Sequence, residues 1–290
     1  MKPTQSQTTQ GNLYIIAEAV LWSTFPVVTI LAYSSLTPIY TAAFSVLFAS
    51  GFFAVIITIQ KKWKEIFIRS IWKDIIGITL INSIFFYAMV FIGLKYTSAG
   101  NASIVFLMEV FFSYIIFRAW GKDHLNKHQS IGAIFMAIGA IIILFPNRSH
   151  INIGDIIILI ATAIVPFGNH LQQKVRKQIS SSTLLFLRSI LGVGFLFLLA
   201  YFFEAKPTAA NLQASLILLL INGILLFGLS KIFWIEGIHR ITITKAISLA
   251  SIAPAFTLFF AYLFLNDIPT TSQILGLLLI LAGTWLLTRS

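Results

Sequence analysis

The chain is organised as a series of long apolar runs separated by short polar segments. Each run is close to the roughly 20 residues that an α-helix needs to cross the hydrocarbon core of a membrane. The runs do not alternate between apolar and polar residues, and they are about twice as long as the strands of membrane β-barrels, so strands are excluded. The pattern therefore predicts an all-α integral membrane protein with ten transmembrane helices, at 12–34, 38–60, 75–95, 99–120, 130–146, 154–174, 182–203, 212–238, 242–265 and 271–288.

The composition supports this class and excludes several others. Of the 290 residues, 58% are apolar and 10% are charged, whereas soluble domains carry about 25% charged residues. The segment 61–74 is the longest interruption between runs and is too short for a soluble domain. Because the chain has no cysteine, disulfides, thiolate metal sites and thiol chemistry are excluded. The first apolar run is too long for the core of a signal peptide, so it is predicted to be an uncleaved span.

The basic residues predict the orientation in the membrane. The formal net charge of +11 would indicate nucleic acid binding in a soluble protein, but here the bases lie between apolar runs. With ten spans, fourteen of the 20 Lys and Arg residues fall on the side of the N-terminus and three on the other side. The lipid bilayer, rather than nucleic acid, is therefore the expected partner. We expect a multi-pass protein of the bacterial inner (plasma) membrane with both termini in the cytoplasm.

The two halves of the chain resemble each other at a constant shift of 143–144 residues. This shift divides the chain into predicted five-helix repeats at 1–146 and 147–290. Because five is an odd number, the second repeat must enter the membrane from the opposite side, which predicts two inverted repeats with a polar cavity between them near mid-membrane. Preservation of the duplication for packing alone is the alternative. The matched residues include Gly93 with Gly237, Ala102 with Ala246, Asp123 with Asp267, Gly132 with Gly276, and Gly139 with Gly283.

Two stretches, Tyr96–Leu144 and Ile241–Leu287, share a helix start rich in small residues, an acidic turn and a closing helix rich in Gln and Gly. This pattern resembles the end of an EamA-type repeat of the drug/metabolite transporter superfamily, in two copies. The mid-helix proline of that pattern is present as Pro254, while Val110 takes its place in the first copy. The resemblance implies a ten-helix exporter or exchanger of small metabolites such as amino acids.

Charged residues inside the predicted spans are the first candidates for a binding site, because a charge at bilayer depth costs at least about 2.5–3.5 kcal/mol. Glu109 lies deepest, either ionised in a wet cavity or protonated and bonded to a neighbouring helix. Glu18 shares a helix face with Trp22, an arrangement that suits a cation and would equally tie helices together. Lys231 and Trp234 form a similar pair of a charged and an aromatic residue on one helix, with the opposite sign of charge. A carboxylate at one wall and an ammonium at another would match a zwitterion.

Two further bases lie closer to the ends of their predicted spans. Arg188 is about six residues into the seventh span, within reach of the membrane interface, so a structural role is favoured for it. Lys245 begins the ninth span and is compatible with an interfacial or a cavity position.

Uncharged polar residues and prolines in the spans complete the candidate set. Intramembrane amides more often join helices than bind a ligand, and His170 is the one imidazole placed to titrate near neutral pH within a span. Prolines free backbone carbonyls and so predict kinks. The predicted substrate-binding residues are Glu18, Trp22, Asn82, Tyr87, Asn101, Glu109, His170, Lys231, Trp234 and Lys245, and the predicted hinges are Pro26, Pro166 and Pro254.

These features predict a secondary transporter that alternates access around a central cavity, most simply an exporter of amino acids or similar small polar metabolites. No ATP-binding loop is present, and no metal site, cofactor or catalytic constellation such as HExxH or GxSxG is predicted. An organic-anion or nucleotide exchanger is the alternative, because three bases outnumber two acids in the spans; an intramembrane enzyme or a receptor is a more distant one. The glycine spacing permits close helix packing within one chain or in a homodimer.

Overall fold

The computed structural model describes residues 5–121, 127–145 and 152–288, and all regular structure in these ranges is helical. Two π-helical segments, Thr79–Phe85 and Ile221–Leu229, and two short 3₁₀ turns, Trp63–Phe67 and Arg69–Ile71, interrupt the α-helices. The α-helices are α1 Gln5–Trp22, α2 Phe25–Ala32, α3 Pro38–Gln60, α4 Trp72–Ile78, α5 Phe86–Leu94, α6 Ala99–Phe106, α7 Met108–Gly121, α8 Lys127–Leu144, α9 Ile153–Arg176, α10 Ser181–Phe203, α11 Ala209–Leu220, α12 Ser230–Arg240, α13 Ile243–Ala250, α14 Ala253–Leu265 and α15 Thr271–Thr288.

Eight helical segments of the described chain are long and apolar enough to cross a membrane. Two further apolar helices, Ser130–Leu144 and Thr271–Leu287, are shorter. All ten coincide with the apolar runs of the sequence, so the all-helical membrane class is confirmed and ten crossings stay a prediction. The eight long segments are Gln5–Ala32, Pro38–Gln60, Arg69–Leu94, Ala99–Ile116, Ile153–Arg176, Ser181–Phe203, Ala209–Arg240 and Lys245–Leu265.

Three of the segments are broken near their middle, between α1 and α2, α6 and α7, and α13 and α14. At the first break, the hydroxyls of Ser23 and Thr24 donate to backbone carbonyls three residues earlier, at 2.6 and 2.8 Å. Such bonds compete with the helical ladder, and Pro26 then starts the next helix in its first turn. Pro254 starts α14 in the same way. By contrast, α9 continues through Pro166.

Helices at equivalent places in the two halves run antiparallel to each other. Helix α3 lies along α10, with Thr37 bonded to Glu204 at one end of the pair and Gln60 bonded to Ser182 at the other. We call the end that contains Gln60 and Ser182 the basic end, since the Lys- and Arg-rich segments 61–73 and 174–177 lie there, and the other end the opposite end.

Glycines allow the closest of these contacts. Gly132 faces Gly283, and Gly139 faces Gly276, where α8 and α15 cross in antiparallel fashion. A Cβ atom added at Gly139 would lie 2.8 Å from the carbonyl oxygen of Gly276, closer than real contacts allow. The glycines that the repeat matches therefore pack within one chain. Asp123 of the matched pair Asp123–Asp267, and the predicted repeat boundary at 146–147, lie outside the described residues.

Each helix of the α3–α10 pair is capped by an acid that follows its partner. Glu204, directly after α10, accepts hydrogen bonds at the start of α3 from Thr37 Oγ1 (2.7 Å) and the backbone amides of Ile39 and Tyr40 (2.9 and 3.0 Å). A carboxylate at a helix N-terminus accepts hydrogen bonds from free backbone amides, and its negative charge interacts favourably with the positive end of the helix dipole.

The reciprocal cap is Glu65, which follows α3 and accepts from the amide and hydroxyl of Ser180 at the start of α10 (2.8 and 2.6 Å). Burial acts to raise the pKa of Glu65, but the hydrogen bonds from Ser180 and Thr183 outweigh it and hold that pKa below its usual value. The carboxylate is therefore the form that the folded protein favours at this cap.

Candidate functional site

A cavity of about 110 Å³ lies in the middle of the bundle. Ser23, Leu107, Ala250 and Ala253, which lie at or beside the three helix breaks, line it. A buried water needs about 10–15 Å³ by the same kind of measure. The cavity therefore has room for several waters or for one small solute.

Two of the predicted residues form a direct ion pair at the wall of this cavity. The Lys231 ammonium lies 3.0 Å from Glu18 Oε1 and 3.2 Å above the centre of the Trp22 ring. The side chains of Lys231 and Glu18 are only 13% and 4% exposed, respectively, so water screens the charges of the pair only weakly. The two residues come from α1 and α12, and they neutralise each other instead of facing one another across the cavity.

Glu109 belongs to a second, uncharged set of contacts. Asn169 Nδ2 on α9 donates to Glu109 Oε1 at 2.6 Å, and Trp234 Nε1 donates to Asn169 Oδ1 at 3.2 Å. In the part of the chain that the structure describes, Glu109 has no basic side chain within ion-pair distance. Its carboxyl group is thus held in place by an amide and is available to a cation in the cavity.

Arg188 carries a positive charge that no described carboxylate compensates. Its guanidinium donates to Gln172 Oε1 (2.7 Å) and to the Tyr87 hydroxyl (2.9 Å), and none of the described carboxylates pairs with it. The residue is 4% exposed, and its Nε atom is buried with no hydrogen-bond partner among the described residues. Buried donors are normally satisfied, so this atom marks a place for a ligand or a water.

Gln172 links the two charged groups into one chain of contacts. Its Nε2 donates to Asn169 Oδ1 at 2.9 Å, while its Oε1 accepts from Arg188. The amides of Asn169 and Gln172 are three residues apart and so share one face of α9. This face holds the Glu109 carboxylate and the Arg188 guanidinium in fixed positions on the cavity wall.

Aromatic rings close another side of the site. Tyr87 stacks on Phe227 with 4.5 Å between ring centres and an angle of 7°, and Trp22 stacks on Phe25 with 4.3 Å and 11°. Phe227 also contacts Phe25, which joins the two stacks. Stacked rings of this kind are a favourable aromatic packing geometry, and they form an apolar side of the site beside its hydrogen-bonded polar groups.

The π-helical segments shape the cavity as well. Asn82 lies in the first segment and lines the cavity, with its Oδ1 buried and without a hydrogen-bond partner among the described residues. It fits because residue 168 is a glycine; an added Cβ there would collide with the Asn82 side chain. Lys231 follows the second segment by two residues, and π-helical turns are frequent at functional sites.

The structure brings most of the predicted binding residues to one place. Two of the three predicted hinges, Pro26 and Pro254, also line the cavity, whereas Pro166 does not. The predicted binding residues that line it are Glu18, Trp22, Asn82, Tyr87, Glu109, Lys231 and Trp234.

Three predicted residues lie elsewhere. Asn101 is near the opposite end, where it donates to Asp155 Oδ2 (2.9 Å) and accepts from Gln273 (2.8 Å). His170 is exposed, because successive helical residues point about 100° apart and Asn169 occupies the cavity face of α9. Lys245 is exposed at the start of its segment, near the basic end.

Sequence reasoning missed two residues of the site. Arg188 is expected to reach the interface, but its helix face directs it into the bundle, where Gln172 and Tyr87 hold it. Gln172 was not a candidate, although its three-residue spacing from Asn169 is a signal for a shared polar face.

Comparisons with known proteins agree on the class of the protein. The sequence profile of the EamA-like transporter family matches residues 9–145 and again 152–289. The uncharacterized transporter YoaV of Bacillus subtilis (strain 168) is 23% identical over 220 residues, which cover 74% of this chain and 75% of that protein.

Other relatives agree with this class. An uncharacterized transporter of Archaeoglobus fulgidus is 26% identical over 220 residues, covering 73% of each chain. YyaM of Bacillus subtilis (strain 168), also an uncharacterized transporter, is 21% identical over 259 residues, covering 85% of this chain and 83% of that protein. A crystal structure of another protein matches over 97% of this chain and 96% of its own, with a TM-score of 0.69 and 14% identity, which shows a shared fold.

Proposed function

The chain belongs to the EamA-like transporter family, and from this premise we propose that it is a secondary transporter that exports amino acids or similar small zwitterionic metabolites by alternating access. The observation that carries the proposal is a pair of ionisable side chains, Glu109 and Arg188, that both line one central cavity and have no described side chain of opposite charge within ion-pair distance. Transporter function, rather than enzymatic function, is common to the family and to the relatives.

The charge balance of the cavity favours a zwitterion over an organic anion. The sequence alone counts three bases against two acids in the spans, but Lys245 is exposed and does not line the cavity. Two acids and two bases remain, and one of each is already paired as Glu18 and Lys231. A solute with an ammonium group for Glu109 and a carboxylate for Arg188 would satisfy both remaining charges at once.

The proposal of alternating access is supported by the antiparallel relation of equivalent helices. Inverted repeats place a cavity on their common axis, and tilting of one repeat against the other opens it to either side. The contacts of α3 with α10 and of α8 with α15 have the antiparallel sense that such repeats require. Ten crossings, with both termini in the cytoplasm of a bacterial cell, complete the proposed topology. Export is the direction in which a solute made inside the cell flows without another energy source.

Counterflow in proteoliposomes tests the substrate class. Vesicles with purified protein are loaded with unlabelled L-alanine, and entry of trace labelled L-alanine is followed, with each other small amino acid in turn as competitor. We expect competition by zwitterions, and none at equal concentration from ethylamine or propionate, each of which carries only one of the two charged groups. Glu109→Gln and Arg188→Gln should each abolish counterflow, whereas Lys245→Gln should retain it.

The same vesicles give the results that would overturn the proposal. Counterflow of propionate or of a phosphate ester, with no amino acid transported, would assign the protein to the organic-anion exchangers. Full counterflow of L-alanine by both Glu109→Gln and Arg188→Gln would place the binding site outside this cavity.

A further inference from the structure

One wall of the cavity is built like a binding site for an ammonium group. The carboxylate of Glu18 lies on one side, and the face of the Trp22 ring lies on the other. Ser230 Oγ is 3.5 Å from Glu18 Oε1. A carboxylate with an aromatic face is an arrangement that binds primary ammonium ions. Here the ammonium is that of Lys231, which belongs to the chain itself.

Helix packing alone does not account for this ion pair. Helices α1 and α12 are already in close contact through Gly11 and Gly237, about two turns nearer the basic end. Buried ion pairs contribute little net stability relative to apolar side chains of similar size. Both residues of the pair also line the cavity.

The charges of the cavity give the pair a different role. Among the described residues, Lys231 is the basic side chain that lies within ion-pair distance of Glu18. Without Lys231, the buried Glu18 carboxylate would have no described basic side chain within ion-pair distance. Charges deep in a membrane protein are costly unless they are paired, so a change of access by the empty protein would then require a cation from solution.

We propose that Glu18 and Trp22 form a primary-ammonium site that Lys231 fills from within the chain, and that this internal cation lets the empty transporter change the side it faces. The second half of the proposal rests on the proposed transport function, whereas the ammonium site does not. Removal of Lys231 therefore exposes a site for a small free ammonium ion and makes reorientation depend on that ion.

A binding experiment tests the site. The probe is methylammonium chloride, added to purified Lys231→Met protein at pH 8.5 while the thermal unfolding midpoint is followed. A ligand that binds only the folded state raises this midpoint. We expect methylammonium to bind Lys231→Met at least tenfold more tightly than the double variant Glu18→Gln/Lys231→Met, and sodium chloride to give no comparable shift.

Controls separate binding from loss of folding. The double variant removes both charges and should fold without an added cation, while Lys245→Met removes an exposed lysine and should behave like the unaltered protein. A Lys231→Met protein that is recovered folded only when methylammonium is present throughout purification would also support the site. Equal affinity in the single and double variants would overturn it.

A labelling experiment tests the change of access without any knowledge of the substrate. The chain has no cysteine, so Ser103→Cys, at a buried cavity position, gives a single reporter. A membrane-impermeant maleimide is added outside solute-free proteoliposomes that contain both orientations of the protein. A protein that changes access when empty is labelled to completion, whereas a locked one stops at the fraction inserted in one orientation.

We expect complete labelling with Ser103→Cys alone and when both Glu18→Gln and Lys231→Met are added. With Lys231→Met added alone, labelling should stop at a plateau at pH 8.5, and methylammonium should restore completion. Glu109 and Arg188, the other charged groups around Glu18, are unchanged in every variant. Complete labelling of Lys231→Met without methylammonium, or a plateau with Ser103→Cys alone, would overturn the internal-cation role.

The two proposals fail in distinguishable ways. The labelling pattern above, without counterflow of any amino acid, would reject the zwitterionic substrate and retain the internal cation. Counterflow of L-alanine, with Lys231→Met labelled to completion, would reject the internal cation and retain the transport proposal.

Discussion

At the residue scale, one basic residue of the cavity wall is paired with a carboxylate and another is not. Lys231 ends in a direct pair with Glu18, whereas Arg188 ends on two neutral oxygens. The guanidinium is planar and can donate to both Gln172 and Tyr87, while its Nε–H group has no hydrogen-bond partner among the described residues. Its hydrogen bonds to Gln172 and Tyr87 therefore depend on its shape as well as on its charge.

Arg188→Lys tests this dependence on shape. The substitution keeps a positive charge, but one ammonium cannot reproduce the fork that bonds Gln172 and Tyr87. We expect the KM for L-alanine counterflow to rise roughly tenfold, as for a loss of about 1–2 kcal/mol in hydrogen bonding. Lys245→Arg, at an exposed position, is the matched control and should leave the KM unchanged. An unaltered KM in Arg188→Lys would mean that the guanidinium does not contact the solute.

Sequence reasoning recovers which residue types matter at this scale better than where they point. Glu109 and Glu18 are found because a carboxyl group within an apolar run is conspicuous. Arg188 is misplaced, since its distance from the span end is compatible with the interface, and only the packed bundle shows which helix face looks inward. His170 points away from the cavity for the same reason, because its neighbour Asn169 lies on the helix face that lines the cavity.

At the scale of the helices, irregular segments gather around the cavity. The first π-helical segment and the three breaks contribute residues to the cavity wall, and the second π-helical segment ends two residues before Lys231. Irregular backbone within a membrane protein is tolerated where it lines a cavity. Thr257 Oγ1, which donates to the carbonyl oxygen of Ser23 at 2.7 Å, shows how the first break is satisfied from another helix.

Hydropathy predicts the helices but not these irregularities. The apolar run 38–60 is reproduced by α3, Pro38–Gln60, because the length of a span is dictated by the thickness of the membrane. Next to Leu107 the sequence has no proline and no polar run that would predict the helix break there. It depends on contacts with other helices, which one sequence does not display. Pro166, conversely, breaks nothing in α9.

Two glycine substitutions test the close helix contact between α8 and α15. Gly139→Ala adds a Cβ atom 2.7 Å from Ile280 Cγ1 and 2.8 Å from the Gly276 oxygen. We expect the free energy of unfolding to fall by about 1–3 kcal/mol, as for an overpacked core. Gly194→Ala is the control, because nothing lies within 4 Å of its added Cβ atom, and it should change stability by less than about 1 kcal/mol. Equal stability of the two variants, in detergent unfolding experiments, would contradict the contact.

At the scale of the whole molecule, helices of one half pack against helices of the other half. Helix α1 packs on α12, and α5 packs on α9, through the glycine pairs Gly11–Gly237 and Gly93–Gly154. A shift of 143–144 residues exchanges one pair for the other. This exchange is what a twofold axis between the halves would produce, so these two contacts agree with the proposed inverted repeats.

Side-specific labelling tests the orientation of the halves. Lys61→Cys lies just after α3 and Lys206→Cys just after α10, both exposed and in a chain without other cysteines. We expect an impermeant maleimide to modify Lys206→Cys in intact cells and Lys61→Cys only in inside-out vesicles. Modification of both from the same side would contradict inverted repeats. Unaltered protein, which has no thiol, gives the background.

The exchanged caps of α3 and α10 have a consequence for biosynthesis. Glu204 is translated long after the first turn of α3, so that turn stays incompletely hydrogen-bonded until α10 and the residue that follows it have been made. An amino-terminal fragment that ended before α10 would lack this partner altogether. Completion of the α3 cap is thereby deferred until α10 has been made, and a product truncated before Glu204 leaves the first amides of α3 without this acceptor.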